Sequence, residues 1–146
     1  MNIKMLLDPD DPIREELRKL GITDDPASEY QISRRNKAVN YIPGKTDDQL
    51  FFVDVKNIIF IESLGHDVLI HTADAVYRSS DRLKSLDLQL TDDRFLRISN
   101  SVIVNIKAIR RIESSMFQKF TLHLSDKTKV EVTRSYYNIF KDTLGI

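Results

Sequence analysis

The sequence predicts a mainly β fold with a mid-chain helix and a C-terminal helix, preceded by a short α/β extension. Three observations carry this. From Leu50 to Ile146, apolar residues fall in brief runs or alternate with polar ones, the period-2 signature of strands. Turn-forming clusters at Leu64-Gly-His-Asp67, Thr72-Ala-Asp74 and Ser125-Asp-Lys127 break these runs at hairpin spacing. Helical spacing of apolar residues occurs in only three stretches, near Pro12–Leu20, Ser80–Leu90 and Thr133–Leu144.

Taken in order, Ile3–Leu7 reads as a short strand. Asp11 can then cap a helix, Pro12 suits its first position, and Gly21 sits where a left-handed terminating residue belongs. Ile13, Leu17 and Leu20 share one face, which must pack on something. From Ile22 to Asp48 the signals are turn-like, with strands at Glu29–Ser33 or Lys37–Ile42 fitting between them. The sequence leaves open whether this segment is a linker or joins a sheet. Beyond it, strands are expected at Leu50–Val53, Ile58–Glu62, Asp67–His71, Ala75–Arg78, Leu96–Ile98, Val102–Asn105, Ile109–Ser114, Lys119–Leu124 and Lys129–Thr133. Ser80 can cap the middle helix, in which Leu83, Leu86 and Leu90 share a face. Thr133 or Arg134 opens the last, in which Tyr136 or Tyr137, Phe140 and Leu144 point inward. The expected division is an extension, residues 1–49, and a domain, residues 50–146. No internal repeat stands out.

Composition narrows the function. Apolar content of 41% suffices for a core, and 30% charged residues suit a soluble surface. No stretch reaches the roughly 20 apolar residues of a membrane helix. The start, Met1 to Asp8, is too short and too soon acidic for a signal peptide, so the cytoplasm is the expected location. The absence of cysteine rules out disulfides, thiolate zinc sites and cysteine nucleophiles. Catalysis, a metal site, a cofactor and a small-molecule substrate are not expected. His66, His71 and His123 lack helical zinc spacing, and Asp92-Asp93 has no companion nucleophile. Net charge is zero. Residues 1–49 carry eight Lys and Arg against ten Asp and Glu, leaving the rest with a surplus of two positive charges. That is a weak footprint for a nucleic-acid binder.

The order of motifs says more than the charge. Ile58-Ile-Phe-Ile-Glu-Ser63 is followed by a polar hairpin, then Tyr77, then the helix with Arg82-Leu83. Next come Phe95-Leu-Arg-Ile-Ser-Asn-Ser-Val-Ile-Val-Asn105, Ile109, Leu122 to Asp126, and Val132-Thr-Arg-Ser-Tyr136. This series resembles the LytTR family of bacterial DNA-binding domains over about two-thirds of the chain. The resemblance implies an elongated fold of stacked antiparallel sheets, whose loops enter successive major grooves of double-stranded DNA without a recognition helix. It also implies His66, Asn100 and Arg134 as base-contacting residues, one on each of three loops.

The chemistry of those side chains agrees. Arg offers a bidentate donor pair to guanine, and Asn offers a matched donor and acceptor to adenine. Ser63, Ser99 and Ser101 can donate to phosphate, Lys107 adds charge, and Arg97, on the polar side of its strand, is a further phosphate candidate. Asn105, at a strand end, reads instead as structural, satisfying a buried backbone group. Tyr136, Tyr137 and Phe140 read as core. Arg110-Arg111 reads as a solvated pair on a face open to self-association.

The 49 leading residues are too few for the doubly wound receiver carried by many members of that family. The chain therefore resembles the receiver-less branch, which implies self-association on paired sites and restraint by a small membrane protein, with the exposed face of the Pro12–Leu20 helix, or the strand-like segments behind it, as the place for a regulatory or dimer contact. The alternative is a protein-interaction module of the same fold that has lost its DNA role. Near-neutral charge favours that alternative, and the joint presence of His66, Asn100 and Arg134 opposes it.

Overall fold

The structure, a computed structural model, describes residues 1–33 and 39–146 and divides into two compact units, split at residues 37 and 38. The part of the expected strand Lys37–Ile42 that falls on residues 37 and 38 lies outside the described residues.

In the first unit, β1 (Asn2–Leu6) is flanked in parallel by β2 (Thr23–Asp24) and β3 (Gln31–Ser33), and α1 (Ile13–Lys19) connects β1 to β2. The expected helix signals operate. The Asp11 carboxylate accepts the Ile13 amide at 3.0 Å, and Gly21 adopts φ +77°. The apolar face is less covered than expected. Leu17 is buried, whereas Leu20 is 75% exposed. A seven-residue helix over three short strands hides only its central turn. Arg14 organises the unit. It donates to the carbonyls of Leu7 (2.6 Å) and Asp8 (2.8 Å) and pairs with Asp24 at 3.1 Å. The Asp24 carboxyl also accepts the Met5 amide at 2.9 Å.

The second unit begins before Leu50. β4 (Tyr41–Thr46) pairs antiparallel with β5 (Gln49–Asp54) around Asp47 and Asp48, both at positive φ, so the division expected after residue 49 falls within this hairpin. Gly44 on β4 is where the backbone approaches Tyr77, and a Cβ there would lie 2.7 Å from the Tyr77 Cβ. The sheet continues through β6 (Ile58–Leu64), β7 (Asp67–Thr72), β8 (Val76–Ser79), β9 (Phe95–Arg97) and β10 (Val102–Asn105), in the order β5-β4-β8-β7-β6-β10-β9. A second antiparallel sheet contains β11 (Ile109–Ser114), β12 (Phe120–Leu124) and β13 (Lys129–Val132).

Alternation along the strands builds two cores, because successive residues point to opposite faces. On β10, Ile103 joins a core with α2 (Leu83–Gln89), whose Leu83 and Leu86, with Leu90 just beyond, are buried as the spacing predicts. Val104 joins the other core, formed with β11–β13 and α3 (Tyr137–Leu144) around Phe120, Leu122 and Phe140. The stacked antiparallel sheets and the two helices thus match the expected fold class. Ser80 does not cap α2. Arg82 holds that position without a side-chain bond, and the Ser79 hydroxyl accepts the Asp81 amide at 3.0 Å.

An internal repeat missed in the sequence emerges here. Val53-Asp-Val-Lys-Asn-Ile-Ile-Phe-Ile-Glu-Ser63 and Val104-Asn-Ile-Lys-Ala-Ile-Arg-Arg-Ile-Glu-Ser114 share Val, Lys, two Ile, Glu and Ser in register. Both form a strand end, one turn of 3-10 helix and a second strand. Asp54 and Asn105 each accept the amide two residues on, both at 3.0 Å. Each following strand shifts register after its first residue, and in each the Glu reaches a His on the partner strand: Glu62 to His71 at 2.8 Å and Glu113 to His123 at 3.1 Å. The copies diverge where their surroundings do. Phe60 lies in the two-sided interior, while its counterpart Arg111 lies on an edge strand facing solvent.

Candidate nucleic-acid interface

His66 sits in the two-residue turn joining β6 to β7, with Leu64 paired to Asp67 across it. Gly65 at φ +60° supplies the first central position of a hairpin turn whose twist matches the flanking strands. This places the His66 ring in solvent, and the neighbouring Asp67 carboxylate is shared with Arg78 at 3.6 Å. Ser63 at the base of the turn donates its backbone amide to the Ser101 carbonyl at 2.8 Å. That bond joins the His66 turn to the next one.

Residues 98–102 form the turn between β9 and β10, closed by the Ile98 amide on the Val102 carbonyl at 3.0 Å. Asn100 is at its exposed tip. Ser99 is buried, and its hydroxyl accepts the Ser101 amide at 3.1 Å. Arg97 folds onto the same turn, donating from Nε to the Ser99 carbonyl (2.8 Å) and from Nη2 to the Asn100 carbonyl (2.6 Å). Its Nη1 lies 3.7 Å from Asp87 on α2.

Arg134 opens a single 3-10 turn, Arg134–Tyr136, that leads into α3 and leaves its side chain exposed. The Thr133 amide donates to the Ile98 carbonyl at 3.0 Å, and the Tyr136 hydroxyl to Asn100 Oδ1 at 3.4 Å. Tyr136 is therefore not purely a core residue. Tyr137, by contrast, stacks on Phe120 with ring centroids 4.7 Å apart.

The three turns carrying His66, Asn100 and Arg134 are thus joined by direct hydrogen bonds. Lys107 is elsewhere. It follows the far end of β10, on the order of 15 Å from the Asn100 turn at strand rise. There the Asp92 carboxyl is held below its ordinary range, first by the Arg94 amide, then by the Arg94 side chain, and last by the Lys107 charge. Asn105 has the expected structural role, donating from its buried side chain to the Ile58 carbonyl at 2.9 Å. Arg82 was missed. It lines one groove with Ser63, Gly65 and His66, is exposed, and has no ion pair among the described residues. Its proximity to His66 depends on how α2 packs against β6, which no local pattern encodes.

The family model of the LytTr DNA-binding domain matches residues 48–145. This chain belongs to the LytTR family. It is 28% identical over 105 residues to the transcriptional regulatory protein LytR of Staphylococcus aureus (strain N315), covering 72% of this chain and 43% of that protein. It is 30% identical over 99 residues to the sensory transduction protein LytT of Bacillus subtilis (strain 168), covering 68% and 41% respectively. The chain therefore spans less than half the length of these relatives. The LytTr DNA-binding domain of a Bacillus cereus protein has the same fold, with a TM-score of 0.71 and 23% identity over 75% of this chain and all of that one.

The LytTR domain is a DNA-binding domain found in transcription regulators. In this LytTR chain the matched region covers the β6–β7, β9–β10 and β13–α3 turns described above. No helix among the described residues is long and apolar enough to cross a membrane.

Proposed function

We propose that this chain is a sequence-specific transcription regulator of the cytoplasm that reads base edges in the major groove through turns. The observation that carries this reading is the hydrogen-bonded chain Ser63–Ser101, Ile98–Thr133 and Asn100–Tyr136, which sets three polar turns side by side. His66, Asn100 and Arg134 are the base-contacting residues. Ser63, Ser101 and Arg82 are the phosphate contacts; burial of Ser99 and the position of Lys107 beyond β10 favour them over these two candidates. Near-neutral overall charge is compatible with binding, because Arg134 on its turn and Arg82 at the start of α2 are exposed cations, and among the described residues neither is paired with a carboxylate.

The test is selection of the purified protein against a random duplex pool. A motif enriched by the wild type and weakened by Arg134→Ala supports the reading. No motif even at low salt, where phosphate contacts are strongest, overturns it and leaves a protein-interaction module.

The chain also self-associates on paired sites under this reading, and its first unit receives a membrane-protein regulator. The exposed side chains of Ile13, at the start of α1, and Leu20, just past its end, are the surface for that contact. Leu20→Glu, which leaves the buried Leu17 in place, should then release cellular control without changing DNA affinity. Unchanged control in the Leu20→Glu strain would rule this contact out.

A further inference from the structure

Arg97 occupies the polar side of β9, where an arginine of a DNA-binding domain is expected to reach outward to phosphate. Its guanidinium instead turns back on the chain. Two of its nitrogens donate to two consecutive carbonyls, those of Ser99 and Asn100, and the third faces Asp87. The side chain is only 22% exposed. Carbonyls at the tip of a surface turn are ordinarily left to water, so a turn fixed by two charge-assisted bonds is far less free to change shape. The planar fork of arginine is what makes simultaneous contact with two neighbouring carbonyls possible; the ammonium of lysine is a single point on a flexible stem. The Ser99 hydroxyl also accepts the Ser101 amide. Asn100 thus stands at the tip of a turn held by the side chains of Arg97 and Ser99.

From this geometry we infer that Arg97 is a positioning residue. It holds the Asn100 turn in its base-reading shape before DNA arrives, and Asp87 on α2 holds Arg97. Arg97 does not neutralise a phosphate in the complex. The inference rests on Asn100 being a reading residue, and it predicts effects opposite to those of a phosphate contact.

The test compares Arg97→Lys, Arg97→Gln and Asp87→Asn with the wild type on the selected duplex, on duplexes altered at single base pairs, and across a salt series. As a clamp, Arg97→Lys fails despite its charge. Both Arg97 variants lose on the order of tenfold preference at the base pair read by Asn100, and the slope of log affinity against log salt stays at its wild-type value. Asp87→Asn relaxes the same base pair, although loss of a carboxylate on its own would tighten binding to every sequence alike. As a phosphate contact, Arg97→Lys stays close to wild type, while Arg97→Gln weakens every sequence equally and lowers the slope by about 0.9. That second pattern overturns the inference.

A measurement on the free protein separates this inference from the DNA reading itself. With the clamp gone, the Ile98 and Ser101 amides exchange with solvent about tenfold faster in Arg97→Lys, while amides of the β11–β13 sheet keep their rates. Unchanged exchange at Ile98 and Ser101 overturns the clamp. Failure of the wild type to select any motif overturns the DNA reading and leaves the exchange result standing.

Discussion

The Ser63 amide donates to the Ser101 carbonyl across 2.8 Å, and this bond places the His66 hairpin beside the Asn100 turn. The two residues lie at corresponding ends of paired strands, with Glu62 opposite Val102. The spacing of these two turns is therefore fixed by sheet register, which cannot slip by one residue without turning Ile61 and Ile103 away from the core they share with α2. Rigid strands thus set the positions of residues that are themselves exposed.

Among the described residues Arg82 has no carboxylate partner, and it shares a groove with His66, so its expected contribution is charge. Arg82→Ala should weaken binding to all duplexes alike and reduce the salt slope by about 0.9, leaving base preference intact. Titrations of selected and scrambled duplexes at several salt concentrations measure this. An unchanged slope would remove Arg82 from the interface.

The two copies of the internal repeat make unequal contributions. Asn105 is buried and satisfies both the Ile58 carbonyl and the Lys107 amide. Asn105→Ala should cost about 1–3 kcal/mol by leaving a buried acceptor unpaired. Asp54 lies in a more open position and, among the described residues, makes the local turn bond alone, so Asp54→Ala should cost about 1 kcal/mol or less. Denaturant unfolding of the two variants compares them, and equal losses would argue that burial does not set the difference.

Much of this organisation was legible in the chain, because each strand and helix carries its own periodicity. Ile103 and Val104 announce a strand buried on both faces, and Leu83, Leu86 and Leu90 announce the buried face of α2. Long-range relations were not legible. Whether β4 joins the sheet stayed open because Pro43 and Gly44 break its pattern, although Gly44 is required by the approach of Tyr77. The repeat escaped because Phe60 and Arg111 share a position but face different surroundings. Arg97 was expected to point outward by strand alternation, which sets the face of a side chain but not where its far end turns.

Packing of the second core gives a further expectation. Phe140 is completely buried against Phe120, with ring centroids 5.3 Å apart. Phe140→Ala should destabilise the second unit by about 3–5 kcal/mol and loosen the α3 approach that carries Arg134. Thermal unfolding followed by near-ultraviolet circular dichroism checks this. A loss below about 1 kcal/mol would mean that α3 is dispensable to the core.

Acid should act on the first unit through Asp24. The Met5 amide and then the Arg14 side chain hold its carboxyl below the ordinary carboxylate range. A carboxyl depressed by folding stabilises the folded state above its unfolded pKa, and the contribution is lost as pH falls through the depressed value. The packing of β1 against β2 should therefore loosen in acid below the ordinary carboxylate range, and Asp24→Asn should remove that dependence. Amide chemical shifts of Met5 and Thr23 across an acid titration report it, and identical profiles for variant and wild type would contradict it.

The central claim is that Asn100 and Arg134 read bases rather than merely lie near DNA. Its most direct measurement is the affinity of wild type, Asn100→Ala and Arg134→Ala for the selected duplex and for each of its single-base-pair variants at fixed salt. The account predicts that each substitution costs about 1–3 kcal/mol on the selected duplex and erases discrimination at its own base pair, leaving the other positions as selective as before. A loss spread evenly over every duplex, or no loss at all, would contradict it.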